Sequence, residues 1–183
     1  YAGQNATNAS YGNFFGLSAG ENATNATQST FIGYQAGKGA TNANSAIFIG
    51  LNAGLNDTVD NSSAYKNSIL LGDYTSTGGF SNSIAIGQGT KNSAANQLNL
   101  GGLIYGLGIR ATTTPTASPV TGGYVGIGTS TPTETLSVAG NFNLTGAFKS
   151  NGDAGTLGML LQTTGTGIQW VATSSLGISG GSG

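Results

Sequence analysis

Six short segments that end in glycine recur along the N-terminal half: YGNFFG to Gly16, QSTFIG to Gly33, SAIFIG to Gly50, NSILLG to Gly72, NSIAIG to Gly87 and NQLNLG to Gly101. The steps between these glycines are 17, 17, 22, 15 and 14 residues. An Ala-Gly pair follows the first three at a constant offset, at Ala19-Gly20, Ala36-Gly37 and Ala53-Gly54, and Ala2-Gly3 sits one period earlier. NATNAS at 5–10, NATNAT at 22–27 and GATNAN at 39–44 form a third recurring piece. A period this short cannot hold a helical hairpin. It fits one coil of a parallel β-roll or β-solenoid, with two short strands and two tight turns. Glycine tolerates positive φ, so Gly16, Gly33, Gly50, Gly72, Gly87 and Gly101 are read as turn residues. The long step from Gly50 to Gly72 carries five extra residues, placed within DTVDNSSAYK at a solvated corner loop.

The apolar steps constrain the assembly as well as the coil. Phe14-Phe15, Phe31-Ile32, Phe48-Ile49 and Leu70-Leu71 are adjacent apolar pairs, and Ile84 and Ile86 flank Ala85 in the fifth segment. Neighbouring side chains on a strand point to opposite faces. One member of each pair can fill the coil; the other must be covered from outside, or a long apolar stripe stays wet. The cheapest cover is another copy of the chain. A three-fold arrangement about a fibre axis covers that stripe on every copy, so a homotrimer is expected; the alternative is a wider single-chain solenoid with an unusual interior.

Composition narrows the function classes. Charged residues make up 6% of the chain and hydrophobic ones 37%, with a net charge of -1. Disordered chains usually show the reverse balance. The 33 glycines fit a turn-rich β-structure. With no cysteine and no histidine, disulfides, thiolate metal sites and the commonest general base are excluded. No apolar run is long enough for a membrane-spanning helix; the stretch from Leu98 to Ile109 is broken by glycines. No basic footprint for nucleic acid is present. The start at Tyr1, with no signal peptide, reads as a processed chain or a piece of something longer.

NSIAIGQGTKNSAANQ, residues 82–97, resembles the head repeat of trimeric autotransporter adhesins, N-S-x-A-I-G-x-x-(small)-x-A, and the looser likeness extends over residues 1–102. It implies a trimer of left-handed parallel β-rolls. Further on, YVGIGTSTPTETLSVAGNFNLTG at 124–146 is similar to a module of phage tail fibres and related bacterial surface fibres, carried by Val125, Gly126, Ile127, Gly128, Thr129, Pro132, Leu136, Val138 and Gly140. That resemblance implies a trimeric shaft. Leu136-Ser-Val138 and Phe142-Asn-Leu144 alternate as half-buried strands do, and Met159–Gln162 and Ile168–Ala172 read as a hairpin around TTGTG. Trp170, the single tryptophan, is read as a core or interface plug rather than a binding aromatic. The expected organisation is a β-roll domain at 1–109, a Thr/Pro-rich linker at 110–123, a β-rich shaft or hairpin module at 124–178 and a flexible tail at 179–183.

Candidate chemistry is sparse. Asp57 and Asp60 are near in sequence, but a glycosidase needs two carboxylates converging on one bond, and a solvated loop is the expected setting. Asn56, Asp57, Asp60 and Asn61 offer oxygen ligands for calcium without a recognisable loop pattern. Gly126-Ile-Gly128 lacks the helix and spacing of a dinucleotide loop. The Asn-x-Ser/Thr sites at Asn5, Asn8, Asn22 and Asn25 follow from the repeat, and an axial Asn/Thr ladder through Thr7, Thr24 and Thr41 explains them without glycosylation. No cofactor, no metal, no catalysis and no nucleic acid are expected. The function expected is that of a rigid, adhesive, extracellular fibre segment on a cell or virion surface, with itself and a surface carbohydrate or protein receptor as partners. The alternatives are a self-polymerising filament subunit, a ligand- or ice-binding solenoid, and a carbohydrate-cleaving tailspike.

Overall fold

The computed structural model describes residues 1–61, 67–109 and 120–177. It is all-β apart from one short 3-10 turn at Thr173–Leu176, and it divides into two compact units, Tyr1–Gly140 and Asn141–Gly183. The first unit holds a nine-stranded sheet in sequential order. Strands β1 (Asn13–Phe15), β2 (Thr30–Ile32), β3 (Ile47–Ile49), β4 (Ile69–Leu71), β5 (Ile84–Ile86) and β6 (Gln97–Leu100) pair in parallel, one per coil, in unshifted register. The solenoid-like stack expected from the period is therefore present.

Each coil is built differently from expectation. It contains one strand, not two. The rest of the coil from Gly33 to Gly50 is a run of turns, closed by Ala36 N to Gly33 O, Lys38 N to Gln35 O, Ala40 N to Gly37 O and Ala46 N to Ala43 O. Their third residues, Gln35, Gly37, Gly39 and Ser45, all have φ between 53° and 65°. This is the backbone a turn of that kind demands, and a polar side chain or glycine accepts it best. The second strand is reduced to single parallel bridges that link Thr7, Thr24, Thr41 and Thr58. The amide ladder beside them is made by asparagines: Asn8 Nδ2 donates to Asn25 Oδ1 at 2.9 Å, and Asn25 Nδ2 donates to Asn42 Oδ1 at 2.8 Å.

The interior is a column of side chains, one from the middle of each strand. Phe14, Phe31 and Phe48 stack with ring centroids 5.2 and 4.9 Å apart, and Leu70, Ala85 and Asn99 continue the column. Alanines 19, 23, 26, 36, 40, 43, 46 and 53 enclose it and are fully buried. Beyond Leu70 the interior turns polar: Thr75, Thr77, Asn92, Gln97 and Asn99 are buried. Apart from the 22-residue step that carries Leu70 and the insertion, coil length falls with the inner residue, from 17 residues around Phe31 and Phe48 to 15 at Ala85 and 14 at Asn99. The Ala-Gly step belongs to the same fit, since a Cβ on Gly37 or Gly54 would overlap the ring of Phe31 or Phe48.

The expected corner loop is corrected at its start. Thr58 bridges Thr41, Val59 is fully buried, and Asp57 is buried with its carboxylate accepting from Thr77 Oγ1 at 2.9 Å and from Thr77 N. Residues 57–61 thus belong to the coil; the remainder of DTVDNSSAYK lies outside the described residues.

After Leu100 the chain reverses through Gly101-Gly102. Strand β7 (Ile104–Leu107) pairs antiparallel with β6, β8 (Tyr124–Ile127) antiparallel with β7, and β9 (Leu136–Val138) parallel with β8. The sheet therefore continues past Ile109, and residues 124–140 of the expected 124–178 module belong to the same unit as the coils. Most of the expected linker, residues 110–119, lies outside the described residues, as does the whole of the expected tail at 179–183. Phe142-Asn-Leu144 forms no strand, and both apolar side chains are exposed. Two-residue alternation there lacks a partner strand to pair with. In the second unit β10 (Met159–Thr163) and β11 (Ile168–Ala172) form the expected antiparallel hairpin. Trp170 sits on that hairpin, its Nε1 donating to Asp153 O at 3.0 Å and its ring packed against Gly155.

Candidate self-association face

Strands β1 to β5 present three residues each in an out–in–out pattern, and β6 has the buried Gln97 ahead of the same triplet. Of the residues singled out from the sequence, Phe14, Phe31, Phe48 and Leu70 point inward; the last three are fully buried and take no part in any outer surface. Phe15, Ile32, Ile49, Leu71, Ile84 and Ile86 point outward. Phe15 is 76% exposed, Ile32 38%, Ile49 37% and Ile86 37%. Register lines them into two columns. The first runs Asn13, Thr30, Ile47, Ile69, Ile84, Leu98; the second runs Phe15, Ile32, Ile49, Leu71, Ile86, Leu100. No charged side chain occupies either column.

The sequence marks five members of the second column, Phe15, Ile32, Ile49, Leu71 and Ile86, and one of the first, Ile84. It leaves Ile47, Ile69, Leu98 and Leu100 unmarked, because their signal is the i, i+2 spacing across each inner residue rather than an adjacent apolar pair. Four of the six turn glycines, Gly16, Gly33, Gly50 and Gly72, act chiefly by close approach, whereas a Cβ on Gly101 would meet nothing within 4 Å. Gly16, Gly33, Gly50 and Gly72 have φ of 130° to 138°, and Gly33 N donates to Phe15 O at 2.8 Å, Gly50 N to Ile32 O at 2.9 Å. A Cβ on Gly16 or Gly33 would overlap the carbonyl of the glycine above it. The strands therefore end on a glycine stack that keeps the coils at sheet spacing and the outer columns straight.

Covering this face has a worked magnitude. Fully burying an aliphatic side chain stabilises by about 1.5–3 kcal/mol, so covering a remaining third or so of Ile32, Ile49 and their neighbours yields roughly 0.5–1 kcal/mol each. Summed over about ten such residues this is of the order of the ~4–15 kcal/mol that association costs.

Other polar features serve the fold. The Asp57 carboxylate is engaged by Thr77, and Asn61 Nδ2 donates to Asn44 O at 3.1 Å, so this stretch is tied into the coil rather than arrayed around an ion. Among the described residues no group of three acidic, His or Cys side chains converges. Gly126-Ile-Gly128 ends β8 in the sheet. Glu21 and Lys38 pair across adjacent coils at 3.3 Å; a hydrogen bond from Ser18, then Lys38, hold the Glu21 carboxyl below the ordinary glutamate value. Among the described residues, no helix is long and apolar enough to cross a membrane. Comparison of the chain with family models, curated proteins and solved structures finds no match.

Proposed function

We propose that this chain is a structural and adhesive segment of an extracellular fibre, in which copies associate through the outer columns of the β-roll as a homotrimer. The observation that carries the reading is the pair of outward columns, uncharged, in unbroken register and apolar apart from Asn13 and Thr30 at the head of the first, standing on a stack stitched to itself at every coil. A surface of this kind on a rigid scaffold marks an interaction site. Self-cover is favoured because it supplies an equally long, equally uncharged partner at the same spacing, and a closed ring leaves no copy uncovered. The likeness to adhesin heads and tail-fibre shafts supports the same reading. A rod of this kind gives reach and stiffness, and it presents a surface carbohydrate or protein receptor with repeated weak contacts. The single threonine rank at Thr7, Thr24, Thr41 and Thr58 gives no second rank to favour an ice-binding surface.

Sedimentation equilibrium with small-angle scattering tests this. The expected result is an elongated particle of three times the 18.0 kDa chain mass. A compact monomer at tens of micromolar refutes it.

A further inference from the structure

Register carries both outer columns beyond the roll. Leu98 is paired with Gly106, Gly106 with Val125 and Val125 with Leu136; Leu100 is paired with Ile104, Ile104 with Ile127 and Ile127 with Val138. The second column is therefore apolar on every strand from β1 to β9. The first is interrupted once past the roll, at Gly106, which contributes no side chain.

Around that gap lies a cavity of about 370 Å³, lined chiefly by Leu98, Leu107, Ile109, Val120, Tyr124 and Val125. Backbone conformation does not demand glycine there, because Gly106 is absent from the positive-φ residues. Space does not demand it either. A Cβ would stand 3.3 Å from Leu98 Cβ and 3.7 Å from Ile109 Cγ2, which is tight but not overlapping. Among the described residues, the hollow thus has an apolar wall and an open mouth, and neither backbone conformation nor space requires Gly106 to leave it unfilled.

A cyclic assembly of more than two copies uses heterologous contacts, so opposite edges of one band meet. At the level of β7 the edge opposite Gly106 carries Ile104, which is 40% exposed. We propose that Ile104 of one copy inserts into the Gly106 hollow of the next, so that β7 and β8 form part of the same contact as the roll. This rests on the self-association proposed above, and it adds a specific knob and hole outside the coils. The cavity is at the low end of the ~300–1,000 Å³ range of small-ligand pockets, which suits one branched side chain and its flank.

The chain contains no cysteine, so crosslinking is clean. In I104C/G106C the two thiols lie two residues apart on one strand, roughly 6.6 Å, and their Cβ atoms are parallel, too far to bridge within the chain. Oxidation is expected to give covalent species of up to three chains on a non-reducing gel, while I104C alone gives none. Dimers from I104C alone overturn the proposal, as does an uncrosslinked double variant that still sediments as an assembly. A monomeric parent protein overturns the underlying self-association instead. As a second measurement, G106L fills the hollow from within. It is expected to retain the parent circular dichroism and weaken assembly by at least about tenfold; unchanged assembly refutes the knob. ANS fluorescence from the assembled parent protein that G106L abolishes assigns the hollow to a small apolar molecule and refutes it equally.

Discussion

Replacing Gly33 with alanine tests the stacked-glycine geometry directly. The residue sits at φ 133°, a conformation open to glycine almost alone, and its Cβ would overlap the Gly50 carbonyl of the next coil. Backbone strain of this kind costs about 1–3 kcal/mol. Relief of the overlap must lift one coil off the next, which loosens the Gly50 N to Ile32 O bond of 2.9 Å and its neighbours at about 1 kcal/mol each. The total is ~3–5 kcal/mol, and for a chain of this size each kcal/mol lowers the midpoint by about 2–4 °C, giving a loss of roughly 6–20 °C. Gly89→Ala separates the two contributions, because φ is 68° there and nothing lies within 4 Å of the new Cβ. Left-handed strain alone is about 1–2 kcal/mol. The stack also loosens along the chain. A Cβ on Gly72 would be 2.9 Å from the Gly87 carbonyl carbon, and one on Gly87 would be 3.2 Å from Gly101 Cα. The expected order of thermal destabilisation is Gly33→Ala, then Gly72→Ala, then Gly87→Ala, with Gly89→Ala the mildest. Melting curves by circular dichroism, at one fixed protein concentration because assembly shifts the midpoint, read this order. If Gly33→Ala melts no lower than Gly89→Ala, inter-coil contact at these glycines is not what holds the stack.

Inner and outer residues of one strand should separate cleanly: Phe48→Ala is expected to cost about 3–5 kcal/mol of unfolding free energy in denaturant titrations, while Ile49→Asn keeps the fold signal and lowers the sedimenting mass. Asn25→Gly removes two amide bonds and should cost about 1–3 kcal/mol; Asn25→Ala, at φ 51°, should cost roughly 1 kcal/mol more, and the opposite order contradicts the ladder account. Because the Glu21 carboxyl is held below its ordinary value in the folded chain, the unfolded chain binds more protons there. Its contribution is present above about pH 4.3 and is lost as pH falls through the folded value. Glu21→Gln should flatten the acid limb of a stability–pH profile, while added salt should remove only the part due to the Lys38 charge and leave the Ser18 part in place.

The coil stack was legible because its signal is local and repeated. Glycine spacing gave the period, and strand geometry alone put one member of Phe31-Ile32 and of Phe48-Ile49 on each face, without saying which of the two faces inward. What escaped was set by partners distant in sequence. Nothing near Leu136 announces that β9 joins the sheet through β8, and nothing near Phe142 announces that no strand will pair with it. The turn-rich coil was also hidden, because Gln35, Ser45 and Asn25 take left-handed conformations that composition assigns first to glycine. Asp57 looked solvated beside Asp60, yet Thr77, from a later coil, draws it inward.

The match between circumference and inner side chain works as a gauge. The 17-residue turns of the spiral hold phenylalanine, and the 14-residue turn holds the smaller Asn99 in that place. Lengthening therefore proceeds by whole units of like calibre. One further 17-residue copy set between Gly33 and Gly50 would add about 4.8 Å, another ring to the aromatic pile and another link to the amide chain, without disturbing its neighbours. Such a chain counts its own height in discrete increments.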